Sequence, residues 1–196
     1  MRTRWRRLLV PALLEAVLLT LGVALALAAE EWRQGREDER HAQAAAVAIT
    51  EEIRANRAAV AQSASYHGGL IDSLRAQGPG DPPPTIALFS RGFVSPASVG
   101  SSAWETAAET GALEHLPHDA VLRLSRVYGP QGRYERQAEI VGGLIYGELY
   151  RGGAGSVVAN YRNVGHLVSA FYYRERQLIT LYDSTLAALT PMTGKR

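Results

Sequence analysis

Residues 8–29 are apolar at every position except Pro11, Glu15, Thr20 and Gly22. As a helix this run reaches about 33 Å, enough for the roughly 30 Å hydrocarbon core of a bilayer. The pattern predicts a transmembrane helix, preceded by a basic tail over residues 1–7. Ala24, Ala26 and Ala28 have the spacing of a signal-peptidase site, but the run exceeds the roughly 7–15 residues of a signal-peptide core and contains an acid, so a retained anchor is expected.

Beyond Trp32 the pattern becomes amphipathic. The chain is rich in Ala, Glu and Arg as far as Gln77, and Ile49, Ile53, Val60, Leu70 and Leu74 share one helical stripe. The spacing predicts one long helix over residues 30–77, weakest at Gly35 and bent at Gly68 and Gly69. The "GPGDPPPT" stretch ends it, because consecutive prolines remove donors and forbid helical geometry before them, and an irregular loop is expected over residues 78–100. Ser102 and Glu105 have capping-box spacing, with Gly111 placed as a left-handed terminator, which predicts a short helix. Asp119 is positioned to cap the next helix, which meets Gly129 and Pro130 and then resumes or kinks. After "RGGAGS", Val157, Tyr161, Val164, Val168, Phe171, Leu178 and Tyr182 define a final long helix. Strand alternation and repeats are lacking. The expected fold is all-α, an anchor continuing into a long helix against whose residues 37–77 an antiparallel bundle over residues 101–196 packs.

Charge refines this picture. The 196 residues carry a net charge of +2, but without Arg2, Arg4, Arg6, Arg7 and Glu15 the remainder holds 17 basic and 18 acidic side chains. A nearly neutral domain offers no phosphate-binding face, so nucleic acid is not expected as a partner. With no cysteine in the chain, disulfides and thiolate chemistry are excluded. Four arginines precede the apolar run, whereas Glu30 and Glu31 open its far side. The positive-inside rule then places the N-terminus in the cytoplasm and the domain in the periplasm of a bacterial inner membrane. Trp5 and Trp32, about 40 Å apart along a helix, are candidate interfacial anchors.

Two segments resemble a family of small single-pass bacterial membrane proteins to which no activity is assigned. One is the acidic, Trp-containing exit "EEWR" after the anchor; the other is "AWETAAETGALEHLPHDAVLRLSRVY", residues 103–128. The resemblance implies an N-terminal anchor with a helical extracytoplasmic domain, and it supplies no catalytic residue.

The inventory of reactive groups is thin. Glu114, His115, His118 and Asp119 lie within six residues, but His115 and His118 are three apart across Pro117, not four apart on one helix turn, so a solvated turn is expected and no metal site. His41, His67 and His166 are isolated and read as surface or interface histidines. Glu51, Glu52, Glu135 and Glu139 sit beside Arg54, Arg57 and Arg136, where ion pairs on solvated faces are expected. A phosphate loop and a nucleophile elbow are both missing. No enzyme activity, cofactor or small-molecule ligand is expected. Phe171, Tyr172, Tyr173 and Arg174 form a candidate docking surface, because Tyr and Arg are enriched at interfaces.

Glu15 stands apart, since an acid this deep in the apolar run costs several kcal/mol if it faces lipid. Ala12, Leu19, Gly22, Ala26 and Ala29 share its side of the helix, and Gly22 with Ala26 makes a small-xxx-small pair that lets another helix approach. This side is the candidate face toward a partner's membrane helix. The expected role is a non-catalytic accessory subunit that stabilises a larger membrane complex, with respiratory and photosynthetic assemblies as first hosts to check. The alternative is a periplasmic sensor or signalling module that binds a small ligand or a cell-envelope partner.

Overall fold

The computed structural model describes residues 2–78 and 80–193, with side chains over residues 14–78 and 80–189. Among these residues every regular element is helical, as the all-α pattern requires. Helix α1 (Arg2–Arg75) is 74 residues long and runs unbroken through Gly35 and through the expected bend at Gly68 and Gly69. Gly68 instead permits a close approach: a Cβ there would lie 3.3 Å from the ring of Tyr172. A 3-10 turn (Ile86–Phe89) interrupts the proline-rich loop, helix α2 (Ser102–Glu109) follows, and a second 3-10 turn (Ala112–His115) leads into helices α3 (His118–Ala159) and α4 (Tyr161–Thr193).

Among the described residues no helix is long and apolar enough to cross a membrane. The described part of the apolar run, residues 14–29, spans about 24 Å as helix. The side chains of Trp5 and Ala12 lie outside the described residues. From residue 14 to residue 37 every side chain of α1 is exposed, and the bundle begins at Ala42, the first buried residue.

Side-chain pairs set the directions of the elements. Gly68 with Tyr172, His67 with Glu175 and Arg57 with Asp183 show α4 running antiparallel to α1. Glu52 with Tyr128 and Asn56 with Gln131 show α3 running parallel to α1. Between them, residues 92–103 return along α1, from Tyr66 at Gly92 to Glu52 at Ala103, as an extended strap. The molecule is therefore an up-down bundle of four legs in which the second leg is a strap and a short helix rather than a long one.

The predicted stripes of α1 and α4 contribute to the core, and α3 adds a third face to them. Ile49, Ile53 and Val60 from α1, Leu124, Val127 and Tyr134 from α3, and Phe171, Leu178 and Tyr182 from α4 are all at most 2 % exposed. A second cluster at the far end gathers Leu70, Ile71, Phe89, Phe93, Val157, Val164 and Val168 around the loop. Pro130 is accommodated within α3, whereas the glycine-rich segment breaks the helical path at one residue, Gly153, with φ 68° and ψ −176°. The final helix starts at Tyr161, after Asn160, so Val157 belongs to the end of α3.

Two expected caps differ. The first residue before α2 is Ser101, and the α2 amide of Ala103 is held at 2.8 Å by the carboxylate of Glu52 on α1, while Glu105 accepts from Ser101. Pro117 precedes α3, and Asp119 pairs with Arg123 one turn on instead of capping. In both places an acid found a charged or tertiary partner that outweighs a local cap.

The backbone of Gly153 lies where only glycine is unstrained. Gly153→Ala is expected to destabilise the bundle by about 1–2 kcal/mol, whereas Gly155→Ala, where a Cβ meets open space at an ordinary φ, is expected to be neutral or stabilising. Thermal midpoints of the two variants check this.

Candidate functional site

An extended segment inside a helical bundle has no neighbouring strand, so its amides and carbonyls need other partners. Side chains supply them. Ser63 Oγ lies 2.7 Å from the Ser95 carbonyl, and the Ser95 amide donates to His67 Nε2 at 3.1 Å. The Ala97 amide donates to the Tyr134 hydroxyl at 2.7 Å. Asn56 binds Gly100 twice, accepting from its amide at 2.8 Å and donating to its carbonyl at 2.7 Å, and Gln131 donates to the same carbonyl at 2.9 Å. Ser102 and Ala103 donate to Glu52, and Tyr66 donates to the Gly92 carbonyl.

Glu52, Asn56, Ser63 and His67 are spaced four, seven and four residues apart, which puts them on one face of α1 beside its apolar stripe. Behind the strap the polar side chains join. Glu175 on α4, fully buried, accepts from Ser63 at 2.6 Å and from Tyr134 at 2.9 Å on one oxygen, and from His67 Nδ1 at 2.9 Å on the other. Because the Ser95 amide donates to Nε2, that nitrogen is an acceptor and Nδ1 carries the hydrogen directed at Glu175. Tyr182 donates to Gln131 at 2.8 Å and Tyr128 to Glu52 at 2.7 Å. Burial holds the phenols of Tyr128, Tyr134 and Tyr182 well above the ordinary tyrosine value, and nearby carboxylates, Glu52 for Tyr128, Glu175 for Tyr134, and Glu135 and Glu52 for Tyr182, add to the effect.

Ser63, His67 and Glu175 have the composition of a nucleophilic triad but not its geometry. In such a triad the serine hydroxyl gives its proton to Nε2. Here Nε2 is occupied by the Ser95 amide, and Ser63 turns to Glu175 and to the Ser95 carbonyl. Serine, histidine and glutamate are all buried. The cluster is a latch that holds the strap.

The other candidates fall apart in space. His67 belongs to the core and not to the surface, whereas His41 and His166 are exposed. Glu51 pairs with Arg54 as expected, but Glu52 serves the strap and Arg57 reaches across to Asp183 on α4, at 2.9 Å, keeping that carboxyl below its usual range. Glu135 is raised, first by burial and then by Glu105 and Glu139, with Arg136 opposing. His115 lies 3.8 Å from Asp38 and Asp119 engages Arg123, and among the described residues no three potential metal ligands converge. Phe171 points into the core against Tyr134 and His67, and Tyr172 covers Gly68. Only Tyr173 and Arg174 of that quartet are exposed. Glu15, Leu19, Gly22, Ala26 and Ala29 are all exposed, and Trp32 carries the Arg36 guanidinium 5.3 Å from its ring centre.

Compared with protein-family models, curated proteins and solved structures, the chain finds no match.

Two measurements follow from the latch. Glu175→Ala leaves the imidazole and phenol hydrogens without their acceptor and is expected to cost about 3 kcal/mol or more in chemical denaturation, with Glu175→Gln costing clearly less. For the buried phenols, the folded value is raised above the ordinary value of about 10, so their contribution is intact below that pH and is lost as the pH rises further. In an alkaline titration followed by phenolate absorbance, Tyr128, Tyr134 and Tyr182 are expected to ionise only as the bundle unfolds, after the exposed tyrosines.

Proposed function

We propose that this chain is a single-pass, non-catalytic accessory subunit, anchored in a bacterial inner membrane by residues 8–29 with its bundle in the periplasm. One observation carries the proposal. Eight Leu and Val side chains of α1 between Leu14 and Leu27 are each 57–67 % exposed, and nothing among the described residues covers them. A contiguous apolar surface of this kind requires lipid or another protein. The sequence extends the same character upstream to residue 8, to a length that suits a bilayer.

The arginines before the run and the acids after it support a cytoplasmic N-terminus. Trp32, stacked with Arg36 at the end of the apolar stretch, suits the headgroup region. Glu15 together with Leu19, Gly22, Ala26 and Ala29 forms the side proposed to meet a partner's membrane helix, with Ala12 extending it in sequence. Because α1 continues without a break into the bundle, a partner that grips the anchor also fixes the direction of the domain. A respiratory or photosynthetic assembly is the first host to examine.

Purification of the tagged full chain in mild detergent, followed by sizing and identification of its companions, tests the role. Co-migration with other membrane polypeptides is expected; a chain that always runs alone would refute it. Gly22→Leu with Ala26→Leu adds bulk where backbones are proposed to touch and is expected to lose the complex, whereas Val17→Leu keeps it. Glu15→Leu is expected to weaken retention modestly, since a membrane hydrogen bond averages about 0.6 kcal/mol. A C-terminal alkaline phosphatase fusion is expected to be active; activity instead of a fluorescent protein that folds only in the cytoplasm would reverse the topology.

A further inference from the structure

We propose that the cavity between the strap and α3 is a binding site for a small, uncharged, apolar molecule. It has a volume of about 310 Å³, within the range of small-molecule sites. Phe93 and Val94 of the strap form one wall, and Val141, Gly142, Ile145 and Leu149 of α3 form the other. No charged or amide side chain lines it, and the Gly92 carbonyl at its edge is already taken by the Tyr66 hydroxyl. A charged ligand would lose its hydration there without compensation, which selects an uncharged one. Among the described lining residues, the exposed Tyr146 has the side chain able to meet a polar tip.

Gly142 gives the cavity its shape. The lining positions on α3, residues 138, 141, 142, 145, 146 and 149, follow the helical repeat and make one face, with Gly142 in its middle. A Cβ at Gly142 would meet nothing within 4 Å. Glycine inside a helix is less stable than alanine, and an unfilled apolar space forfeits packing as well. Both penalties fall on the same spot, and a methyl group would relieve both without a clash. Space kept open at a loss of stability is what a ligand site requires and a packed bundle does not. The site is independent of the anchoring role, and its occupancy is read on the bundle alone.

The test uses the methyl-labelled full chain in lipid nanodiscs, with toluene as the probe and benzoate as its charged counterpart. Toluene is expected to shift the methyl resonances of Val94, Val141, Ile145 and Leu149 saturably. The methyls of Leu18, Leu21 and Leu25 report simple partition into lipid and are expected to change without saturation. Benzoate is expected to leave all seven unmoved. Gly142→Leu is expected to fold and to abolish the saturable response; if that variant fails to fold, Gly142→Ala takes its place, with a raised thermal midpoint and a response weakened several-fold. The proposal is overturned if toluene leaves the cavity methyls unmoved, if benzoate moves them as well as toluene does, or if the filled variant responds like the original.

Discussion

An extended, half-buried strap lies along a helical bundle with no strand to pair with it, and that constraint governs the rest of the structure. Helices satisfy their own backbones, so packing three of them calls for apolar faces only. A strap brings in amides and carbonyls that would each cost a lost hydrogen bond if left bare. Asn56, Ser63, His67, Gln131, Tyr134 and Glu52 meet that demand from α1 and α3. Glu175 is needed one layer further back, because His67 and Tyr134 each have a hydrogen left over once they have served the strap, and Ser63 lies between Glu175 and the Ser95 carbonyl. The buried polar groups are thus a consequence of one irregular leg, and their resemblance to a catalytic set is a by-product of hydrogen-bond accounting.

The same network ties all four helices at several levels. Glu52 joins α1 to α2 and α3, Asn56 joins α1 to α3, and Glu175 joins α4 to both. Hydrogen bonds of this kind specify register, whereas apolar stripes alone tolerate sliding. Since α1 is one uninterrupted helix, the register set inside the bundle is carried along it to the exposed apolar stretch.

The far half of the bundle is built differently. There the strap and α3 are separated by glycine and open space instead of being joined by polar side chains, and Phe89 and Phe93 close the end at a ring separation of 4.8 Å. Dense polar stitching near residues 52–67 and looser apolar walls near residues 138–149 divide one bundle into a rigid part and a part with room.

The sequence by itself determined the helices and the core stripes. Ile49, Ile53 and Val60 on α1, with Val164, Val168, Phe171, Leu178 and Tyr182 on α4, are buried where the 3.6-residue repeat put them, because periodic burial of apolar surface is a local pattern. Gly111 terminates its helix in the left-handed conformation for an equally local reason. Local rules failed where a distant partner was stronger. Glu52 caps α2 from another helix, and Arg57 crosses to Asp183 rather than pairing within its own helix. His67 reads in the sequence as a surface or interface histidine, and nothing there singles out Glu175, because each is polar and 108 positions from the other. The one available signal was the polar stripe at Glu52, Asn56, Ser63 and His67, whose spacing matches the neighbouring apolar stripe. That stripe could announce a buried polar face but not its occupant, because only tertiary packing decides that a proline-flanked loop turns inward and lies along it.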